Sequence, residues 1–191
     1  RLKVDGRFQT RKQRTSGLSM VRALFPGTFD PIHYGHIDIA SRASRIFDEV
    51  VMAVYDKPLK SLIFSPEERI GLVKEALKDN PKIKVMGYSG LTVDFARQID
   101  AQVITRGLRV FSDFEFEFRM GLANQRLASD IETVAFITAE QHTFLSSSTV
   151  KEIASLQGDV SSMVPPHVEK ALKAKVHSLR DGHSPPNALR D

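Results

Sequence analysis

Two hydrophobic rhythms alternate along the chain from residue 21 onward. Short apolar runs rich in β-branched residues, at residues 21–25, 49–55, 82–86, 102–105 and 132–138, have the length and make-up of strands. Between them lie longer stretches with apolar positions at helical spacing, residues 35–47, 66–78, 91–98, 111–127 and 149–156. A last helix follows Pro165-Pro166 and is expected to end near Leu179. In the first helix Ile39, Ala43, Ile46 and Phe47 are expected to share one face. The run Val50-Val51-Met52-Ala53-Val54 shows no polar alternation, which marks a strand covered on both sides. Strand, helix and strand in regular succession require crossover connections, and hence a parallel sheet. The pattern therefore predicts an α/β domain, a doubly wound five-stranded parallel sheet with helices on both faces and further helices at the C-terminal end.

Punctuation supports these elements. Ser65-Pro66-Glu67-Glu68 has an N-cap serine, a proline at the first helical position and a capping-box glutamate, and Asn80-Pro81 ends that helix. Residues 111–127 are ambiguous at their start, because Phe114-Glu115-Phe116-Glu117-Phe118 alternates as a strand would. The wider spacing of Phe111, Phe114, Phe118 and Leu122 is helical, and Ser112 to Glu115 fits a capping box. Helix is the expectation, with the phenylalanines in the core or at a subunit contact.

Composition narrows the class. At 191 residues and 41% hydrophobic the chain is long enough for one domain with a sizeable core and short for two. We expect a single domain over residues 20–179, beginning at Met20, with residues 1–19 a disordered leader or non-native tail and residues 180–191 a second disordered tail. No apolar run reaches the ~18 residues that a membrane-spanning helix needs, so no membrane partner is expected. Zero cysteines exclude a disulfide scaffold and agree with a cytoplasmic location. The pI of 9.4 points toward nucleic acid until the charge is located. Residues 1–19 hold six basic residues against Asp5 alone, a net +5, so residues 20–191 carry −1 of the chain's +4. A basic stripe for a nucleic-acid backbone is therefore not expected in the folded part.

The candidate chemistry lies where predicted strands end. Phe25-Pro26-Gly27-Thr28-Phe29-Asp30-Pro31-Ile32-His33-Tyr34-Gly35-His36 reads as a strand end, a tight loop and a helix start. Its glycines allow close backbone approach, and a helix N-terminus favours an anion. Histidine there adds a donor. Lys57 and Lys60 follow the second strand, Arg106-Gly107-Leu108-Arg109 the fourth, and Ser146-Ser147-Ser148 opens a helix after the fifth. Arginine forks, lysine and serine caps all suit phosphate oxygens. Each also has an ordinary structural duty, as turn residue, solvated charge or cap. No Cys or Ser nucleophile with a base at hand and no metal-ligand spacing beyond His33/His36 is visible, so the chemistry indicated is phosphoryl or nucleotidyl transfer by positioning and charge neutralisation.

Taken together, the strings PGTFDPxxxGH, KxxxFSPEER, LxxxFAR, RGLRxxxDFExE and SSSxVKE followed by QGDV resemble the bacterial phosphopantetheine adenylyltransferases, over about residues 20–175. His33-Tyr34-Gly35-His36 is similar to the (T/H)xGH motif of the wider nucleotidyltransferase superfamily. The resemblance implies a Rossmann-like fold and the synthesis of dephospho-coenzyme A and pyrophosphate from ATP and 4′-phosphopantetheine. It implies that Thr28, Lys60 and Arg106 hold the acceptor phosphate and that Thr92 lies along the pantetheine arm. His36, Arg109, Ser146, Ser147 and Ser148 would face the triphosphate, with Thr28, Phe29, Gly107, Leu108, Glu117, His142, Thr143, Phe144 and Leu145 completing the ATP site. His36, Lys60, Arg106 and Arg109 are the expected catalytic set. Mg²⁺ would arrive with ATP and not in a protein cage, and a hexamer is the assembly the resemblance implies. His142 stands where many members carry Trp, and Phe25 where Tyr is common. Three other readings use the same residues, and one of them, another nucleotidyltransferase acting on nicotinamide mononucleotide or glycerol phosphate, would be expected to show a different serine-loop motif. The HIGH/KMSKS pair of class I aminoacyl-tRNA synthetases is mimicked but at far too short a spacing, and a silent nucleotide sensor need not keep His36, Lys60, Arg106 and Arg109 together.

Overall fold

The computed structural model describes residues 20–57 and 62–181. The expectations for residues 1–19 and 182–191, and for the side chain of Lys60, lie outside the described residues. Five strands, β1 (Arg22–Gly27), β2 (Glu49–Tyr55), β3 (Ile83–Tyr88), β4 (Val103–Leu108) and β5 (Glu132–Ile137), form one parallel sheet in the order β3-β2-β1-β4-β5. Helices α1 (Tyr34–Ile46), α2 (Pro66–Leu77), α3 (Thr92–Gln98), α4 (Phe111–Leu127), α5 (Ser147–Ser155) and α6 (Pro166–Asp181) connect and flank it. This is the doubly wound arrangement that the alternating pattern predicts.

Strand alternation builds two cores. Ala23, Phe25, Val50, Met52 and Val54 point to one face, where Ile39, Ala40 and Ala43 of α1, Val73 and Leu77 of α2, Val150 of α5 and Leu172 of α6 cover them. Leu24, Val51, Ala53 and Ile104 point to the other face, against Val93, Phe95 and Ala96 of α3. Because β2 is buried on both faces, its sequence is a continuous apolar run. The chain winds outward from β1 to β3 on one side and returns to β4 at the other side of β1. That reversal leaves a crevice beyond the C-terminal ends of β1 and β4, the usual ligand position in such sheets.

Three local expectations need correction. Ile46 is 68% exposed, and Ala40 takes the inward place assigned to it, because the buried stripe of α1 runs through Ile39, Ala40 and Ala43. Helix α4 starts at Phe111 with Val110 in the N-cap position, so Ser112 falls inside the first turn and not at the cap position expected for it. Asp113 serves that turn instead, accepting from the Arg109 backbone N–H at 3.2 Å. The last helix continues to Asp181, two residues beyond the end expected near Leu179. By contrast, Ser65 caps α2 as expected, its Oγ accepting from Glu68 N–H at 3.2 Å while Glu68 Oε2 accepts from Ser65 N–H at 2.8 Å. The phenylalanines of α4 are not in the core of this chain: Phe111 is 84% exposed, and Phe114, Phe116 and Phe118 are exposed as well.

A charged residue holds the C-terminal ends of β1 and β2 together. Arg69 shares the inward stripe of α2 with Val73 and Leu77 and is 0% exposed. Its Nη1 donates to Thr28 O and to Tyr55 O, each at 2.7 Å, and its Nε to Phe64 O at 3.3 Å. Thr28 and Tyr55 lie where β1 and β2 end and Phe64 just before α2, and a guanidinium can serve several carbonyls at once. Burial lowers the Arg69 pKa, and the carboxylates of Asp30 and Asp56 oppose that shift. Arg69→Lys keeps the charge but loses the fork, leaving buried carbonyls unserved. We expect it to lower stability by roughly 2–4 kcal/mol, seen as an earlier urea midpoint at unchanged m-value. A midpoint equal to that of the parent chain would contradict this role.

Candidate functional site

The site grows from the end of β1. After Gly27 the chain turns through Phe29 at φ 51°, a left-handed conformation that non-glycine residues rarely adopt. The turn folds the Phe29 ring back over Gly27, where a Cβ would lie 2.7 Å from ring Cζ, so glycine is needed there. The Phe29 ring in turn meets the edge of the His36 ring, with centroids 5.0 Å apart and planes at 83°. His33 stacks on the other side of His36 at 3.7 Å and 21°. His36 is thereby held between two rings.

Its hydrogen bonding orients it further. His36 Nδ1 accepts from the His33 backbone N–H at 3.3 Å, the third-residue arm of a capping box at the start of α1. A ring nitrogen that accepts carries no proton, so a ring N–H of the neutral tautomer would be at Nε2. The amide of Tyr34, first residue of α1, donates to Met163 O at 3.0 Å. The Tyr34 amide is therefore already engaged within the chain.

His33 is different. It is buried, its Nδ1 has no partner, and its pKa is lowered to about 3 by desolvation first, then by Arg109 and His142. It is neutral at neutral pH and supplies stacking rather than charge.

The two arginines at the end of β4 are held in the same way. Arg106 donates through Nε and Nη2 to the two carboxylate oxygens of Glu117, each at 2.6 Å, and through Nη1 to Pro26 O at 3.0 Å. Arg109 donates through Nε and Nη2 to Asp113 at 2.8 and 3.1 Å, and through Nη1 to Leu145 O. Asp113 and Glu117 lie one turn apart on α4, which thus presents two clamps in series. In each arginine the Nε edge goes to a carboxylate and one Nη1 hydrogen to a carbonyl. A guanidinium has five N–H groups, so the far edge keeps two for an anion. Asp113 is held below the usual carboxylate range: burial pushes its pKa up, and the Arg109 hydrogen bonds and charge outweigh that.

The serine run arrives from β5. The segment Glu140–His142 forms a single 3₁₀ turn, and Ser146 caps α5, accepting from Thr149 N–H at 3.0 Å. Helix α5 thus begins at Ser147, two residues before the start expected from spacing. Ser147 Oγ donates to Pro31 O at 2.9 Å, which ties this run to the β1–α1 junction. Ser148 and Phe144 are exposed, Leu145 is buried, and His142 and Thr143 are half-buried. Gly107 lies where a Cβ would come 2.4 Å from Ile39 Cδ1, so it lets α1 approach β4. Leu108 pairs with Ile137 of β5.

The crevice thus brings together Thr28, Phe29, His36, Arg106, Arg109 and the run that ends in the serines. Thr92 stands apart, at the start of α3 beyond β3, two strands from β1, where its hydroxyl meets Tyr88 Oη at 3.1 Å. Glu117 and Leu145 O hold the arginines. Sequence reasoning missed Arg69, Asp113, Asp30 and Lys151. A charged residue at the inward spacing of Val73 and Leu77 is the signal that could have found Arg69.

Comparison with known proteins agrees with this architecture. The cytidylyltransferase-like family pattern matches residues 24–153. A phosphopantetheine adenylyltransferase of Roseiflexus sp. (strain RS-1) is 55% identical over 154 residues, covering 81% of this chain and 96% of that protein. One of Desulfitobacterium hafniense (strain DSM 10664 / DCB-2) is 50% identical over 155 residues, covering 81% and 95%. A crystal structure described as a nicotinate-nucleotide adenylyltransferase, from Vibrio parahaemolyticus, superposes with a TM-score of 0.61 over 81% of this chain and 99% of its own. At 19% identity it shares the fold.

His33 gives a pH test of this packing. The unfolded chain binds a proton near the ordinary value of 6.5, whereas the folded chain refuses it until about pH 3. Between those values the unfolded state holds more protons, so this group costs about 1.4 kcal/mol of stability per unit of falling pH. We expect the melting curves of His33→Gln to lose less stability than the parent chain between pH 6.5 and 4. Parallel losses in the two proteins would refute the burial of a neutral His33.

Proposed function

The chain belongs to the phosphopantetheine adenylyltransferase family of the cytidylyltransferase-like nucleotidyltransferases, and on that premise we propose how its site works. It transfers the adenylyl group of ATP to 4′-phosphopantetheine, giving dephospho-coenzyme A and pyrophosphate, a step of coenzyme A synthesis. An oxygen of the acceptor phosphate attacks the α-phosphorus of ATP in line. The new P–O bond forms as the bond to the β-phosphate oxygen breaks, and the electron pair leaves with pyrophosphate. No enzyme nucleophile takes part.

Under this reading, Thr28, Lys60 and Arg106 bind the acceptor phosphate, and Thr92 lines the path of the pantetheine arm. His36, Arg109, Ser146, Ser147 and Ser148 bind the triphosphate. Phe29, Gly107, Leu108, Glu117, His142, Thr143, Phe144 and Leu145 bound the nucleotide. The observation that carries the reading is the pair of clamped guanidinium forks beside an oriented His36 at one switch point. Charge develops on the leaving pyrophosphate, and donors fixed in advance stabilise it without reorganising.

Magnesium fits as a companion of the nucleotide. Among the described residues no group of three or more His, Asp or Glu could hold a metal ion, so its ligands would be triphosphate oxygens and water. Bound there, it would neutralise part of the triphosphate charge. No described helix is long and apolar enough to cross a membrane, and we assign the enzyme to the cytoplasm. We also assign it to a homo-oligomer, a hexamer by family resemblance. The exposed phenylalanines of α4 and the groove of about 250 Å³ between α4 and β4–β5, lined by Phe114, Phe118, Leu122 and Ile131, are the support for an assembly surface.

The direct test of the acceptor is pyrophosphate release from ATP with 4′-phosphopantetheine, pantetheine, nicotinate mononucleotide or glycerol 3-phosphate. Release with 4′-phosphopantetheine alone is expected, and equal release with another acceptor overturns the assignment. His36→Ala is expected to lower kcat by roughly 10²-fold with a smaller change in ATP affinity, since its donor acts mainly on the transition state. Equal losses in ATP binding and turnover would contradict that role.

A further inference from the structure

A buried carboxylate beside the crevice has no part in the steps above. Asp30 is 1% exposed and lies between Phe29 and Pro31 in the β1–α1 junction. Its Oδ1 accepts from Phe64 N–H at 2.9 Å. Its Oδ2 accepts from Ile63 N–H at 3.1 Å and from Lys151 Nζ at 3.0 Å. Lys151 stands on α5, one turn after Ser147, and its side chain is 18% exposed.

Three segments that are distant in sequence therefore end on one side chain. They are the junction itself, the chain at Ile63–Phe64 that leads into α2, and the first turns of α5. The functional reading gives the acceptor phosphate to Thr28 of the junction and to Lys60 ahead of Ile63, and the triphosphate to the serines of α5 together with His36 at the far end of the junction. Two polyanions brought within reacting distance repel each other, and each pushes on the segment that binds it. In-line attack tolerates little displacement, because an error of about 1 Å can cost a hundredfold in rate.

We propose that Asp30 is a positioning residue for the transfer reaction, holding the acceptor side and the triphosphate side of the crevice at a fixed separation through its ion pair to α5 and its two bonds to Ile63 and Phe64. The chemistry at this position calls for a carboxylate. Two amides and one ammonium converge on two oxygens, and only an acceptor-only group satisfies all three. An asparagine would turn an N–H toward one of those donors. The tie to Pro31 from Ser147 is a neutral bond to a backbone carbonyl and leaves Lys151 unserved.

The inference rests on the proposed function, and the test separates the two. The full chain and its variants Asp30→Asn, Lys151→Gln and the double variant are assayed with ATP and 4′-phosphopantetheine for kcat and both KM values, alongside thermal melting. Asp30→Asn is expected to lower kcat about tenfold or more and to raise the acceptor KM. Lys151→Gln, which leaves both amide bonds in place, is expected to lower kcat by about threefold or more. The double variant is expected within about twofold of Asp30→Asn, because both changes break one tie. A lower melting temperature with kcat unchanged in both single variants means a purely structural role and overturns the proposal. So do losses that multiply in the double variant. Should Asp30→Asn fail to fold, Lys151→Gln decides, and a kcat equal to the parent's overturns the proposal. A parent chain inactive with these substrates overturns the functional reading and the proposal with it, whereas an active parent with unaffected variants overturns the proposal alone.

Discussion

A fully buried guanidinium sets the mouth of the sheet. Arg69 reaches from α2 to the carbonyls of Thr28, Tyr55 and Phe64, which belong to segments leaving β1, leaving β2 and entering α2. Thr28 and Tyr55 lie where β1 and β2 end and Phe64 lies just before α2, and a buried cation needs several acceptors. The geometry of the β1–α1 junction, on which Phe29, Asp30, His33 and His36 all depend, follows from that fixed point. Asp30 lies close enough to Arg69 to oppose the lowering of the Arg69 pKa by burial and is itself bonded to Ile63, Phe64 and Lys151, so a second layer of charge is built on the first.

The same economy governs the arginines that face the crevice. Asp113 and Glu117 occupy the Nε edges of Arg109 and Arg106, and carbonyls of Leu145 and Pro26 occupy one further hydrogen on each. A free arginine would lose much rotamer freedom on meeting a phosphate; a clamped one has already lost it when the protein folds. The carboxylates weaken the net charge but fix its direction, which matters more where the chemistry is positional. Helix α4 carries the clamping carboxylates, and its exposed Phe114 and Phe118 line the same groove as Arg106 and Glu117, which links the clamps to the surface proposed for assembly.

The sheet was legible because strand and helix periods differ and because β2, buried on both faces, reads as an unbroken apolar run. The crevice was legible because glycine, arginine and serine cluster at strand ends, and the family resemblance gave those clusters roles. What sequence could not give were the bonds behind them. Asp30 and Lys151 are 121 positions apart, and nothing local marks Asp30 as buried. Arg69 carries a local sign in its spacing from Val73 and Leu77, but its partners come from three segments that only the fold brings together. Ile46 and Ser112 misled because local spacing favours more than one helical frame, and packing against β4 and the Arg109–Asp113 pair chooses between them. Glu117, assigned by resemblance to the nucleotide, is bonded in this structure to Arg106.

The proposed mechanism holds two anions in line in this crevice by fixed donors, with no covalent enzyme intermediate. The stereochemistry at phosphorus tests it most directly. With 4′-phosphopantetheine and ATP carrying a chiral sulfur at the α-phosphorus, a single in-line displacement inverts the configuration in the dephospho-coenzyme A product. Inversion is the predicted result, and retention, the mark of two successive displacements through an adenylylated protein group, would contradict the account.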